Sequence, residues 1–129
     1  MKIVADTNTF LAVALFEPER DTLIHLTAGH TLTAPRILPY ELGNALSAMM
    51  KKQTLAPDEL LAAWEAVKKI PVMLQDIEIA SALTIVRQFN LYAYDAYFLE
   101  CALSLRAPLL TLDRPLKKVA RQLGICVLE

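Results

Sequence analysis

Residues 1–10 read MKIVADTNTF, and this stretch decides the fold class. The apolar segment 2–5 predicts a short buried strand, and Asp6 stands directly at its end. An apolar run follows, and its length predicts a helix over residues 9–16. A carboxylate at the tip of a buried strand is unfavourable unless it is hydrogen-bonded, paired or bound to a cation. Asp6 is therefore expected either to cap the next helix or to belong to a site.

Short apolar runs alternate with longer helical patterns along the rest of the chain. Strands are predicted over 2–5, 32–35, 72–74, 108–112 and 125–128. Helices are predicted over 9–16, from Asp21 to near Gly29, and over 40–51, 56–70, 76–89, 95–106 and 115–123. Thr7 or Asn8 is expected to cap the first helix and Asp21 the second. Such alternation predicts right-handed crossovers and a three-layer α/β/α sandwich around a mostly parallel sheet.

Two of the predicted helices have informative apolar patterns. In the helix over 76–89 the expected buried stripe is Ile79, Leu83, Val86 and Phe89. The helix over 95–106 is apolar on nearly all sides, which predicts a central, buried position.

Composition sets the broad class of the protein. The chain has 129 residues, which indicates a single domain over 1–129. Its hydrophobic content of 55% is high, so part of the apolar surface is expected to be covered by a second copy or by another chain. The formal net charge is −1, which excludes a global basic field. Nucleic-acid binding would have to depend on local patches.

Several features indicate a cytoplasmic protein that does not enter a membrane. Cys101 and Cys126 lack metal-ligand spacing, and both are expected to be buried free thiols. Asp6 interrupts the segment that would form the core of a signal peptide. No apolar run approaches the ~20 residues of a membrane-spanning helix.

Four acids lie at element junctions. Asp6 and Asp113 follow predicted strands, whereas Glu41 and Asp95 open predicted helices. Each has an ordinary structural explanation as a helix cap or as an acid in a first helical turn. Together, however, all four border apolar segments, and a right-handed α/β/α fold gathers such junctions on one edge of the sheet.

Gathered carboxylates repel one another, by about 3 kcal/mol for two charges ~5 Å apart at an effective dielectric constant of ~20. Such a cluster persists only if protons or a cation neutralise it. Oxygen ligands without a Cys or His cluster select Mg²⁺ or Mn²⁺. These ions suit phosphoryl chemistry.

Four motifs in order complete the pattern: VADTN at the start, then ELGNAL, YDAYFL and LLTLD. With these motifs, essentially the whole chain resembles the PIN-domain ribonucleases. Within that family it looks most like the VapC-type toxins of toxin–antitoxin pairs. No single motif is specific, but the ordered set is.

The resemblance implies roles for particular residues. The acids that bind the metal and carry catalysis would be Asp6, Glu41, Asp95 and Asp113. Asn8 and Asn44 would orient these acids, and Thr111 would place its hydroxyl near the site. Glu41 would act through a water or as a base.

The resemblance also implies an activity and partners. The protein would be a Mg²⁺- or Mn²⁺-dependent endoribonuclease in which a metal-activated water attacks the phosphodiester and the 3′ oxygen leaves. Its partners would be the RNA substrate, an antitoxin chain covering apolar surface, and further copies in a homodimer or larger assembly. The alternative is a catalytically silent PIN-like module that binds a partner protein.

Basic residues follow the last acid at helical spacing: Arg114, Lys117, Lys118 and Arg121. They either form an ordinary solvated face or supply phosphate contacts to RNA beside the acidic site. Tyr92, Tyr94 and Tyr97 are expected to pack in the core or an interface, with base stacking as the alternative.

Overall fold

The computed structural model describes all residues from 1 to 129, in which four strands alternate with seven helices. The strands are β1 (Lys2–Ala5), β2 (Thr31–Pro35), β3 (Met73–Gln75) and β4 (Leu109–Leu110). The helices are α1 (Thr7–Ala14), α2 (Arg20–Thr27), α3 (Leu38–Lys51), α4 (Leu60–Lys68), α5 (Ile79–Phe89), α6 (Ala93–Leu105) and α7 (Arg114–Gln122). A 3-10 turn, Pro57–Glu59, leads into α4.

The strands form one sheet in the order β3-β2-β1-β4, and every pairing is parallel. The central strand is β1, where Val4 is in register with Thr33 on one side and with Leu109 on the other. The chain builds outward from β1 through β2 to β3 and then returns to the far side of β1 as β4. The strand order therefore reverses beside β1. In α/β folds the carboxyl ends of strands at such a reversal are the usual place for a ligand.

The helices form two groups. Helices α1 to α4 pack on one another, whereas α5 packs on α6, and α6 also lies against β1 and β2. Right-handed crossovers place the two groups on opposite faces, because the sheet grows in one direction up to β3 and in the other at β4. The prediction of a three-layer α/β/α sandwich with a parallel sheet is confirmed. The β1 residues Ile3, Val4 and Ala5 are completely buried in its core.

The prediction of a final strand over 125–128 is wrong. Only one bridge forms there, between Leu109 and Val127. The backbone N–H of Leu109 donates to the carbonyl of Cys126, and that of Leu128 donates to the carbonyl of Leu109. Since β4 itself has only two residues, it offers an edge too short for a regular partner strand.

Several helix starts and caps differ from prediction. The expected capping by Thr7 or Asn8 is wrong, whereas the alternative that Asp6 caps α1 is confirmed. Asp21 lies inside the first turn of α2 and does not cap it. Helices α3 and α6 begin earlier than expected, so Glu41 and Asp95 lie within their first turns and do not open them.

The stripe predicted for α5 is wrong in part, because Ile79 and Leu83 are exposed whereas Ala82 and Ile85 are buried. The prediction that α6 is central and buried holds for its middle part, where Ala96, Phe98, Leu99, Cys101 and Ala102 are buried. Both cysteines are free, and Cys126 is exposed, contrary to prediction. None of the helices combines the length and the apolar character needed to cross a membrane.

Candidate functional site

Asp6 occupies the turn between β1 and α1 and is 7% exposed. As the N-cap of α1, its Oδ1 accepts hydrogen bonds from the backbone N–H of Thr9 at 3.2 Å and from Thr9 Oγ1 at 2.7 Å. Its Oδ2 accepts a hydrogen bond from the hydroxyl of Thr111. Both carboxylate oxygens are therefore held by the protein. Asp6 therefore caps α1 and also lines the candidate site.

Thr111 connects Asp6 with Asp113. It follows β4, it is 1% exposed, and its Oγ1 also accepts a hydrogen bond from the backbone N–H of Asp113 at 3.0 Å. Asp113 in turn caps α7, because its Oδ1 accepts from the backbone N–H of Leu116 at 3.3 Å. One buried hydroxyl thus ties together the acids at the ends of two neighbouring strands.

Glu41 comes from the first turn of α3 and lines the same pocket as Asp6 and Asp113. Its Oε2 accepts a hydrogen bond of 2.8 Å from Thr7 Oγ1. Its Oε1 is buried and has no hydrogen-bond partner. Such an atom is unfavourable unless a proton, a water or a cation satisfies it. This role of Thr7 was not predicted from the sequence. The available signal was its position directly after Asp6, where the first strand ends.

Asp95 lies in the first turn of α6, and no hydrogen bond contributes to the shift of its pKa. Together with Asp6, Glu41 and Asp113, it lines one pocket of about 300 Å³. The fold thus brings together the four acids singled out in the sequence, from four separate segments of the chain.

Burial and mutual repulsion raise the pKa values of three acids in this pocket, Asp6, Glu41 and Asp95. Desolvation raises the pKa of Asp6, more than the hydrogen bonds from Thr111 and Thr9 lower it. Desolvation also raises the pKa of Glu41 and that of Asp95, and the charges of neighbouring acids add to both. The pocket therefore favours neutral carboxyl groups or a compensating positive charge.

Asn8 and Asn44 line the same pocket, with exposed side chains. Neither forms a side-chain hydrogen bond to the acids, and their orienting role stays a prediction. The side-chain hydrogen bonds to the acids come from Thr7, Thr9 and Thr111. Threonine hydroxyls reach these acids because they lie within the first turn of α1 or at the end of β4.

The predicted basic residues lie on α7, which leads away from Asp113, and they do not line the pocket. Two of them hold another acid: Glu129 Oε1 lies 2.6 Å from Arg121 Nη2 and 3.4 Å from Lys117 Nζ. Hydrogen bonds from these two side chains lower the pKa of Glu129. Arg114 and Lys118 are exposed and form no ion pair. Two of the four basic residues therefore share one carboxylate of the chain itself.

The donor atoms in the pocket fit a hard divalent cation, since all are oxygens, and the unpartnered Glu41 Oε1 is free to serve. No three Asp, Glu, His or Cys side chains are grouped closely enough to hold one ion between them. Mg²⁺ commonly uses one or two carboxylates and keeps several waters, so it does not need such a group.

Comparisons with known proteins place the chain in a family. A family model described as PIN domain matches residues 3–122. No curated protein matches the chain at a significant level.

Solved structures share the fold. PAE2754 from Pyrobaculum aerophilum superposes with a TM-score of 0.68 at 26% identity, over 92% of this chain and 87% of that one. VapBC2 from Rickettsia felis, solved bound to a DNA fragment from their promoter, superposes with a TM-score of 0.68 at 17% identity, over 100% and 98%. Mycobacterium tuberculosis VapC20, a sarcin–ricin loop cleaving toxin, gives a TM-score of 0.62 at 11% identity, over 90% and 93%.

Proposed function

Because the chain belongs to the PIN-domain family, we propose that it is a divalent-metal-dependent endoribonuclease and the toxin of a type II toxin–antitoxin pair. One observation carries the nuclease proposal: Asp6, Glu41, Asp95 and Asp113 line a single pocket at the carboxyl ends of the central strands. Acids that served only as surface charges would be spread over the molecule, because gathering them from four segments into one pocket makes them repel one another.

The cation would be Mg²⁺ or Mn²⁺, held directly by one or two of the carboxylates of Asp6, Asp95 and Asp113 and through water molecules by the others. When bound, it supplies positive charge to a phosphate oxygen and makes a water more acidic. Asp6 is held in place for this role by Thr9 and Thr111, because their hydroxyls fix both of its carboxylate oxygens.

Glu41 has a separate role in the proposal. Thr7 fixes Oε2, which leaves Oε1 as the atom that accepts the proton of the attacking water. The raised pKa of Glu41 suits a general base better than the pKa of an ordinary exposed carboxylate. Water gives its proton to Glu41 and adds to phosphorus, the bond to the 3′ oxygen breaks, and that oxygen takes a proton from solvent water, so the products carry a 5′-phosphate and a 3′-hydroxyl.

The RNA backbone would lie along the basic side of α7. Arg114 and Lys118 are exposed and unpaired, so they are the first available phosphate contacts beyond Asp113. Lys117 and Arg121 join them only if phosphate displaces Glu129. Binding through these side chains would weaken as salt concentration rises.

The toxin part of the proposal is supported by the likeness to VapBC2 and to the toxin VapC20. It assigns to this chain an antitoxin partner, a homodimer or larger assembly, and a cytoplasmic location beside its RNA substrate. Exposed Ile79 and Leu83 on α5 offer apolar surface for such contacts.

The direct test is cleavage of RNA by the purified protein with Mg²⁺ or Mn²⁺ and with a chelator. Metal-dependent cleavage that is lost in Asp95→Asn is expected. Asp58→Asn is the matched control, because it removes the same charge from an exposed acid outside the pocket. Equal cleavage by both variants would indicate a contaminating nuclease. No cleavage by the native protein on any RNA would favour the silent binding module.

A further inference from the structure

Two exposed tyrosines stand at the rim of the acidic pocket. Tyr40 comes from the first turn of α3 and is 76% exposed, and Tyr94 comes from the first turn of α6 and is 56% exposed. Both line the pocket that holds the four acids. Tyr92 is still more exposed, at 85%, but it does not line the pocket.

Of the roles expected for Tyr92 and Tyr94, packing in the core is wrong, because both are exposed, which leaves an interface or base stacking. The side chain of Tyr94 is nevertheless held by a contact with a neighbouring ring. Its ring meets the ring of Tyr97 edge-on, with centroids 6.0 Å apart and planes at 79°. This geometry is a favourable aromatic contact and fixes the plane of Tyr94 while leaving much of the ring open to solvent.

The pocket is poorly suited to binding a nucleobase. Its volume of about 300 Å³ is at the small end of ligand pockets, and its polar lining is dominated by carboxylates. With a cation present, that lining suits one phosphodiester and its sugar. The bases on either side would then leave the pocket at its rim, where the aromatic rings are.

We propose that Tyr40 and Tyr94 each stack on an unpaired base beside the scissile phosphate and so position the RNA strand over the acidic pocket. This inference rests on the proposed nuclease function. Stacking uses the flat face that every base presents, and it therefore selects unpaired nucleotides with little sequence preference. Bases within a duplex are already stacked and paired, and they are out of reach of these rings.

The test is equilibrium binding of a labelled single-stranded RNA oligonucleotide, measured by fluorescence anisotropy in an Asp95→Asn background in which the RNA is expected to stay intact. Tyr40→Ala and Tyr94→Ala should each weaken binding by about 5- to 150-fold, the range found for loss of one stacking partner. Tyr40→Phe and Tyr94→Phe should bind like the parent, because the ring is retained. Tyr92→Ala is the matched control and should leave binding unchanged.

Two further RNAs sharpen the result. A duplex of the same sequence should bind more weakly and should not respond to the alanine substitutions. An oligonucleotide with abasic positions should lose affinity for the parent protein, and the effect of Tyr40→Ala or Tyr94→Ala should disappear on it. Removing the base and removing the tyrosine ring abolish the same contact, so their effects on the binding free energy should not add.

The inference is overturned if Tyr40→Ala and Tyr94→Ala bind single-stranded RNA as well as Tyr92→Ala does. It is also overturned if they weaken duplex and single strand equally, or if they abolish binding of a partner protein while RNA binding is unchanged. Failure of the nuclease function looks different: the native protein would then bind single strands through the tyrosines and not cut them.

Discussion

The buried hydroxyl of Thr111 donates a hydrogen bond to Asp6 Oδ2 across the boundary between β4 and β1. The two residues are far apart in the chain, yet parallel pairing of Ala5 with Leu110 brings them together. Since the same Thr111 oxygen accepts from the backbone N–H of Asp113, this contact fixes the spacing of two acids at once.

Thr111→Val should therefore damage both stability and activity. It leaves a buried carboxylate oxygen of Asp6 without a donor, which costs about 1–3 kcal/mol of unfolding free energy at neutral pH. The bond lowers the pKa of Asp6, so its loss raises that pKa further, and the penalty should shrink as acid protonates the group. Urea unfolding at neutral and acidic pH measures both effects.

The controls for this substitution are Thr111→Ser and Thr33→Val. Serine keeps the hydroxyl and should retain most of the stability and cleavage. Thr33 is also fully buried and donates to the carbonyl of Met73, away from the pocket. Its valine variant should be less stable but cleave RNA normally. Equal loss of cleavage in both valine variants would mean that Thr111 has no special relation to the site.

Asp95→Asn should stabilise the metal-free protein at neutral pH. Burial, and then the charges of Asp113 and Asp6, raise the pKa of Asp95 above its ordinary value of 3.8. A raised pKa means that the folded state prefers the proton. The corresponding stability is therefore present below 3.8 and lost as pH rises through the raised pKa. The difference in unfolding free energy between variant and native protein should grow over this pH window.

Chemical unfolding at a series of pH values, with a chelator present, measures this difference. Added Mn²⁺ should reverse the order by stabilising the native protein more than Asp95→Asn, and the gain should increase with pH. An asparagine variant that is less stable than the native protein at neutral pH without metal would contradict the repulsion inferred for the pocket. Asp95 is a cleaner choice than Asp6, because Asp6 also caps α1.

The position of the acids was predictable because strand ends and first helical turns have strong sequence signals. The exit of a strand is marked by the change from apolar to polar residues, as at Asp6 and Asp113. Parallel pairing then forces such ends to one edge. The prediction that the acids gather at one edge of the sheet therefore required no knowledge of distances in the folded protein.

The partners of the acids were not predictable in the same way. Thr7 reaches Glu41, and Thr111 reaches Asp6, only because α3 and β4 are placed beside α1 by the whole fold. Asn8 and Asn44 have suitable chemistry but face solvent in the pocket. The buried face of α5 was also mispredicted: α5 packs on α6, and the small residue Ala82 is buried whereas the larger Leu83 is exposed.

Glu41→Gln should lower the cleavage rate about 10²- to 10⁴-fold, the usual contribution of a general base. Glutamine keeps an acceptor for Thr7 Oγ1, so the unfolding free energy should not fall. In the native protein the rate should rise with pH through the raised pKa of Glu41, and this limb of the pH–rate profile should vanish in the variant.

Thr7→Val gives a graded check on the same assignment. The hydrogen bond from Thr7 lowers the pKa of Glu41, so its removal should move the pH limb to higher pH without abolishing activity. An unchanged profile in both variants would exclude Glu41 as the group that takes the proton.

Glu129→Gln should strengthen the binding of single-stranded RNA at low salt. The change frees Lys117 and Arg121 from a carboxylate that lies within 3.4 Å of both. Up to two more phosphates are then neutralised, so the slope of log K against log salt should steepen by about 0.7 for each on a single strand. Adding Lys117→Ala to the variant should return the slope toward the native value. A slope that does not change in Glu129→Gln would place RNA elsewhere on the surface.

The convergence of carboxylates on one cation is tested most directly by Mn²⁺ titration of the isotope-labelled protein, followed by paramagnetic broadening of its NMR signals. Broadening should be centred on Asp6, Glu41, Asp95 and Asp113, and it should be strongly reduced in Asp95→Asn but not in Asp58→Asn. Broadening that spreads over surface acids, or that is the same in both variants, would show that the pocket is not a cation site.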